Sequence, residues 1–271
     1  MGGISAAQAA QKSWLQALAL ASDGRVFSTH GCDWAWLPTR RRLVLLFPER
    51  VGIAGLRPAL AEGARLGAAR VDAWLNAATA DAPLRDLGFR EGAPVLWHEG
   101  ALHRRAGGRT AGAAWAGRVR LSPDVPEAAG RDRLELNVAT HWRSSLGGRR
   151  HPATQRRIEH AVAREDGVLR GRVFGQFTLD GAVSVHGLAV APAERRRGIG
   201  RALLHGLVDS LSRSNLHALE PGGGTGAGGE AAMPDGGAGA RVMVAATPAS
   251  AGFFDAAGLQ LVGRGRLLRL D

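Results

Sequence analysis

The 271-residue chain has no tyrosine, a single cysteine and a single lysine, and no apolar run near the ~20 residues that a membrane-spanning helix needs. Each absence excludes something. One thiol, Cys32, can form neither an internal disulfide nor a Cys-rich zinc site, which fits a reducing compartment. Its surroundings, His30-Gly31-Cys32-Asp33-Trp34, match no nucleophile motif, so an inert thiol is expected. Residues Trp14–Ala21 behind Lys12 imitate a short signal peptide, but Gln16 interrupts the run and one basic residue precedes it. A helix is the better reading, and with it a cytoplasmic chain that has no membrane partner.

The net charge of +11 suggests nucleic acid until the basic residues are separated. Lys12 is the one lysine among 35 of them, and the arginines are spread over the chain with short clusters at Arg40–Arg42, Arg149–Arg150 and Arg195–Arg197. A nucleic-acid footprint concentrates charge on one face, with aromatics interleaved for stacking. Arginine with abundant alanine and glycine reads instead as a compositional bias, and no specific nucleic-acid partner is expected.

At this length one large domain or two are expected. Ser5 to Ala21 reads as a helix, followed by strands at Arg25–His30, Asp33–Leu37 and Leu43–Phe47. A helical stretch from Pro48 to Ala69, a strand at Val71–Leu75, a short helix at Leu84–Leu87 and a strand at Pro94–His98 complete a first series. Leu102 to Gly117 lacks periodicity and suits a connection. A second series opens with the strand Arg118–Leu121 and the helix start Ser122-Pro123-Asp124, with helix expected through Trp142 and again over Thr154–Glu159. Three strands follow, Ile158–Arg164, Val168–Leu179 and Ala182–Val190. Glu165-Asp166-Gly167 and Asp180-Gly181 turn between them, the pattern of an antiparallel meander. Pro221–Ala240 is low-complexity and reads as a mobile surface insertion.

One repeat is visible. Val71–Trp74 followed by Leu84–Phe89 parallels Val242–Ala245 followed by Phe253–Leu259: strand, loop, short helix, glycine stop. Two copies of one domain are implied, the first shortened.

The stretch that carries chemistry is Ser184 to Leu207, SVHGLAVAPAERRRGIGRALLHGL. A strand ends at Val190, a short loop holds Pro192, and Arg195-Arg196-Arg197-Gly198-Ile199-Gly200 opens a helix near Arg201. Glycines there let backbone amides approach a ligand closely, the helix start adds partial positive charge, and guanidinium forks suit phosphate. The junction reads as a polyphosphate cradle. It is not a Walker A loop, lacking the Gly-Lys-Ser/Thr ending, and it lacks the context of a dinucleotide fingerprint.

At these residues the sequence resembles the GCN5-related N-acetyltransferase (GNAT) superfamily. Leu188-Ala189-Val190 and Arg195-x-x-Gly198-x-Gly200 fit its first hallmark; Val242–Ala245, Phe253-Phe254 and Gly258-Leu259 fit its second. The resemblance covers about residues 117–271 and implies an α/β (α+β) GNAT fold, a mixed central sheet flanked by helices. It also implies acetyl-CoA as co-substrate, no metal, and direct acyl transfer to an amine acceptor. The amides from Arg196 through Arg197, Gly198, Ile199 and Gly200 to Arg201, with Arg195 beside them, would hold the pyrophosphate. Leu188, Ala189 and Val190 would meet the pantetheine arm, and Phe254 would pack beside the cofactor. Alternation places Ser184, His186, Leu188 and Val190 on one strand face, and His186 is the candidate base, ahead of Glu194 and Glu165.

Phe254 stands where many members have a tyrosine that protonates the departing thiolate, and Thr247 stands near a frequent asparagine. Ser250 or water would have to supply the proton. In the first half, Pro48-Glu49-Arg50-Val51-Gly52-Ile53-Ala54 looks like a decayed form of the same loop, with a carboxylate where an arginine belongs. The expected organisation is therefore a degenerate GNAT-like domain over 1–104, a linker over 105–116 and an active-type domain over 117–271 with the 221–240 insertion. A CoA-binding pseudoenzyme or sensor, a protein N-terminal or lysine acetyltransferase, and a homodimer all stay open.

Overall fold

The computed structural model describes residues 3–21, 23–102, 115, 118–121, 158–178, 181–218 and 240–271. The helices expected from Ser122 to Trp142 and from Thr154, most of the 105–116 connection and most of the 221–240 insertion lie outside these residues. Ile158 and Glu159, which were also covered by the second helix reading, are strand.

The first series begins with helix α1 (Gly3–Ala21), then strands β1 (Arg25–Thr29), β2 (Cys32–Leu37) and β3 (Arg42–Leu46). Helix α2 (Ile53–Arg65), strand β4 (Arg70–Leu75), helix α3 (Ala82–Asp86) and strands β5 (Arg90–Glu91) and β6 (Val95–Leu102) follow. The second series holds strands β7 (Val119–Leu121), β8 (Ile158–Glu165), β9 (Val168–Phe177) and β10 (Val183–Val190), then helix α4 (Ile199–Ala218). It closes with strand β11 (Ala240–Ala246), helix α5 (Pro248–Ala256) and strand β12 (Gln260–Leu270). The meander β8-β9-β10 is antiparallel, as the acid-glycine turns require.

All these strands form one mixed sheet in the order β1-β2-β3-β4-β12-β6-β11-β10-β9-β8-β7, with β5 beside β12. The order is nearly palindromic. β3 and β4 run parallel on one side, β10 and β11 run parallel on the other, and every other neighbour is antiparallel. At the centre the last strands are exchanged. β6, which ends the first series, pairs with β11 from Leu102↔Ala240 to Leu96↔Ala246, and β12, which ends the second, pairs with β4 from Leu75↔Arg266 to Val71↔Leu270. The two copies of the repeat also end alike. Gly88 and Gly258 take φ of 90° and 91°, values open to glycine, and the next amides, Phe89 and Leu259, donate back to Leu84 O and Phe254 O at 3.1 and 3.0 Å.

Helices α2 to α5 cover one face of the sheet and α1 covers the other. Leu56, Ala59, Leu43, Leu45, Val71 and Ala73 form the core under α2; Leu203, Leu204, Leu207, Val183, Val185 and Val244 form the core under α4. α1 lies across the centre of the opposite face and carries Ala10, Trp14 and Leu18 into a core shared by Leu46 and Trp74 of the first half and Phe174 and Met243 of the second. Trp97 of β6 sits in that core with its indole over Gly265, where a Cβ would come within 2.8 Å of Trp97 Nε1.

Part of the arginine excess has a structural use that composition concealed. Asp72 is fully buried on β4 and is enclosed by Arg42, by both Nε and Nη2 of Arg70 at 2.8 and 3.0 Å, and by Arg269 at 3.7 Å. Burial pushes the Arg42 guanidinium down to about 10, with Asp72 opposing the shift.

The exchange predicts that neither half completes its sheet alone. Segments 1–104 and 117–271 produced separately should aggregate through the bare edges of β4 and β11, and should copurify as a soluble complex when coexpressed. A soluble, monomeric 117–271 segment in size-exclusion chromatography would contradict this.

Candidate functional site

The two parallel strand pairs differ in one decisive way. β3 and β4 stay paired over five rungs, Arg42↔Arg70 to Leu46↔Trp74, and Phe47 N then donates to Trp74 O at 2.8 Å. Beyond that point Thr79 Oγ1 and Asn76 Nδ2 both donate to Pro48 O, at 2.9 and 3.4 Å, and close the strand ends over. β10 and β11 pair over three rungs, Val183↔Val242 to Val185↔Val244, and then separate. Leu188, Ala189 and Val190 therefore have no ladder partner on β11, so the backbone edge of this segment, apart from Val190 O, which accepts from Arg195 Nε at 3.5 Å, is open to a ligand lying between the strands.

A β-bulge lies at the start of this opening. The β9–β10 register shifts between His186 and Ala189, and Gly187 takes φ 57°. An extra residue resets the alternation of the strand. Ser184 and His186 face α1, whereas Leu188 and Val190 pack with the core under α4. The expectation that all four share one face is thus corrected: the bulge puts the candidate base on one side of the sheet and the strand segment Leu188–Val190 on the other.

After β10, a 3-10 turn (Pro192–Glu194) leads into Arg195, Arg196 and Arg197. Arg196 has φ 67° and Gly198 φ 83°, so the chain folds tightly before α4 begins at Ile199. Ala202 N, which donates to Gly198 O, is the first amide of α4 bonded back to the loop, so those from Arg196 to Arg201 have no backbone acceptor among the described residues. This is an anion cradle at the start of a 20-residue helix.

The three arginines do not act as one cluster. Arg195 Nε donates to Val190 O at 3.5 Å and Arg196 is exposed. Arg197 pairs with Glu194 and approaches Glu165 at 3.5 Å, while its guanidinium also lies over the Trp115 ring at 5.4 Å. Glu194 is buried and holds Arg170 as well, at 2.9 Å, and Glu165 pairs with Arg118. Those arginines hold the Glu165 carboxyl below the usual carboxylate range. Both glutamates weighed earlier as bases are tied into ion pairs that brace the loop. Arg201 Nη2 donates to Ala256 O at 3.0 Å and joins α4 to α5.

Phe254, expected beside the cofactor, is buried with its ring centroid 6.0 Å from His98, whose Nε2 lies 3.2 Å from Asp255. Its neighbour Phe253 is the ring at the cradle: a Cβ on Gly200 would meet Phe253 Cε2 at 3.1 Å and Val190 Cγ2 at 3.6 Å. The Phe253-Phe254 doublet was visible in sequence, but which ring turns to the loop was not. Thr247 and Ser250 cap α5 reciprocally, with Thr247 N donating to Ser250 Oγ at 3.0 Å, so Ser250 has a structural task already.

His186 is buried and stacked on Trp14 of α1, with centroids 4.4 Å apart and planes at 4°. Ser184 Oγ donates to Gln176 O at 3.4 Å, which leaves it to accept from His186 Nε2–H at 2.9 Å. That pattern assigns the proton to Nε2 and the free lone pair to Nδ1, which has no partner among the described residues. Gln176 Nε2 in turn donates to Ala10 O on α1 at 3.0 Å. A small pocket opens here, lined by Ala10 and Gln11 of α1, Ser184 and His186 of β10, and Met243 and Ala245 of β11. Trp14 and Gln11 belong to the first half, and no local motif in the sequence marked them.

Comparison with known proteins agrees with this fold. The sequence model of the Acetyltransferase (GNAT) family matches residues 130–221. A tandem GNAT protein from the clavulanic acid biosynthesis pathway superposes with TM-score 0.51 at 14% identity, covering 96% of this chain and 94% of its own. A GCN5-related N-acetyltransferase from Kribbella flavida gives 0.50 at 15% identity, covering 99% and 96%. A glucosamine N-acetyltransferase region of a fungal multi-domain β-N-acetylglucosaminidase gives 0.53 at 13% identity, covering 91% of this chain and 31% of that one. No curated protein matches the chain in sequence.

Burial pushes His186 down to about 3, so the folded state keeps the ring neutral where an unfolded histidine would protonate. The unfolded chain then binds more protons between about pH 6.5 and pH 3, and stability must fall as pH falls through that window. From pH 7 to pH 5 the His186 contribution is a loss of about 2 kcal/mol. Urea midpoints at the two pH values should show it, and His186→Gln should flatten the difference.

Proposed function

We propose that this chain, whose residues 130–221 carry a GNAT acetyltransferase domain, transfers the acyl group of acetyl-CoA directly to a primary amine. The observation that carries the reading is the divergence of β10 and β11 immediately beside the free amides from Arg196 to Arg201. A nucleotide pyrophosphate would be held by those amides, with Arg195 and Arg196 as the guanidinium groups nearest to it by sequence. The pantetheine amides would bond to the open backbone edge of Leu188 to Val190, and Phe253 would pack on the arm where Gly200 leaves room. The first half has the same strand pair without the opening, which supports one CoA site for the whole chain.

His186 lies on the acceptor side of the sheet in this reading. Its Nδ1 takes a proton as the amine nitrogen attacks, and Ser184 holds the ring in the required tautomer. A backbone amide at the bulge would polarise the thioester carbonyl. The thiolate is protonated by water, because Phe254 brings no hydroxyl and Ser250 is engaged in the α5 cap.

Acetyl-CoA should raise the thermal midpoint of the wild-type chain and leave that of Gly198→Glu unchanged, because a carboxylate would fill the cradle. Release of free CoA thiol in the presence of an amine distinguishes an enzyme from a CoA sensor. His186→Ala should lower kcat by about a hundredfold while acetyl-CoA still stabilises the chain. A wild-type chain that does not bind acetyl-CoA would overturn the reading.

A further inference from the structure

Gln11, on a helix of the first half, lines the pocket that holds His186 of the second. We infer that its side-chain amide binds the acceptor, taking one N–H of the amine while His186 Nδ1 takes the other. Given the acyltransferase reading above, on which this role rests, Gln11 selects a primary amine over a secondary one.

The two groups face one space without using each other. Gln11 is 8% exposed, and its amide makes no hydrogen bond among the described residues. Ser184 is already engaged between Gln176 O and His186 Nε2, and Trp97 Nε1 is covered by Gly265. The Gln11 amide and His186 Nδ1 are thus the lining side-chain groups with bonds still to make. A buried amide without a partner weakens the fold, so a ligand that completes it is favoured.

Their placement is fixed by the sheet. Gln11 lies one turn before Trp14 on α1, and the Trp14 ring stacks on His186 with centroids 4.4 Å apart. Gln176 of β9 donates to Ala10 O at 3.0 Å, which pins that turn of the helix. Ala7 and Ala10 are small and leave the space beside Gln11 open.

The pocket also begins where the strands part. Val185↔Val244 is the last rung of β10 and β11, and the next residue on each strand, His186 and Ala245, lines the pocket. It is therefore beside the bulge whose amide is assigned above to the thioester carbonyl.

A primary amine brings two N–H groups to two acceptors, Gln11 Oε1 and His186 Nδ1. Its nitrogen lone pair forms the C–N bond and one N–H proton passes to Nδ1. The C–S pair leaves on sulfur, which takes a proton from water, and His186 returns its own to solvent. The second N–H stays on nitrogen and keeps its bond to Gln11 Oε1, now as the N–H of the product amide. A secondary amine has only the N–H that goes to Nδ1. It leaves the Gln11 amide unpaired against an alkyl group, and a site built to bond an N–H strongly rejects such an analogue.

With the full chain and acetyl-CoA, benzylamine is compared with N-methylbenzylamine, an amine of similar shape and basicity. The wild type should favour benzylamine in kcat/KM by at least about a hundredfold. Gln11→Leu should cut that ratio by at least about tenfold by slowing benzylamine alone, whereas a purely structural role would slow both amines alike. Gln11→Glu keeps an acceptor oxygen, so its ratio should stay within about threefold of the wild type. Thermal midpoints, and their rise with acetyl-CoA, check that both variants fold. A wild-type ratio near one, an unmoved ratio in folded Gln11→Leu, or a ratio in Gln11→Glu as low as in Gln11→Leu would each overturn the inference. So would a chain that binds acetyl-CoA and acylates neither amine. A wild-type chain that does not bind acetyl-CoA removes the acyltransferase reading itself, and the role of Gln11 with it.

Discussion

The exchange of β6 and β12 at the centre of the sheet is the constraint on which the remaining structure depends. Each half supplies the strand that covers the other half's parallel pair, so the sheet is continuous through its middle. Continuity gives α1 one long surface to cross, and that is why a helix from the first forty residues reaches a histidine at 186. It also places Trp97 and Gly265 back to back, a contact between the halves that tolerates no side chain at the glycine.

A ligand can lie between two parallel strands only where they part. Here the two halves show the same parallel pair in two states. In the second half a bulge at Gly187 turns β10 away after three rungs; in the first, the ladder continues and Thr79 and Asn76 tie its end to Pro48. No large rearrangement separates an open pair from a closed one. One extra residue in one strand is enough, because a bulge changes both the direction of the strand and the parity of its side chains.

Much of this was legible in sequence, and the reasons are local. The acid-glycine turns specify a meander, the proline and capping signals of α5 are encoded within a few residues, and Leu188-Ala189-Val190 with Arg195-x-x-Gly198-x-Gly200 marks the cradle. The strand bounds follow the apolar runs, with β6 extending four residues beyond the expected His98 because β11 and β12 flank it on both sides. What was not legible is non-local. Alternation put His186 and Val190 on one face because nothing in the run HGLAV distinguishes a regular strand from a bulged one. Arg197 read as a phosphate ligand because its carboxylate partners, Glu194 and Glu165, were read only as candidate bases. Trp14 and Gln11 read only as part of a helix, since Ser184, His186 and Met243, which they cover, lie at least 170 positions later.

The palindromic order of the strands has a further meaning. Two identical subunits that trade their last strands across a two-fold axis would show the same order, and their association would weaken on dilution. Here both partners lie on one chain, which fixes their effective concentration whatever the concentration of the protein. The shared sheet is therefore insensitive to dilution, and the two copies are released from having to be alike. The closed loop at Pro48 is what such freedom permits: a half whose strand pair stays shut at its end yet still contributes a strand and a helix to the sheet and core of the other.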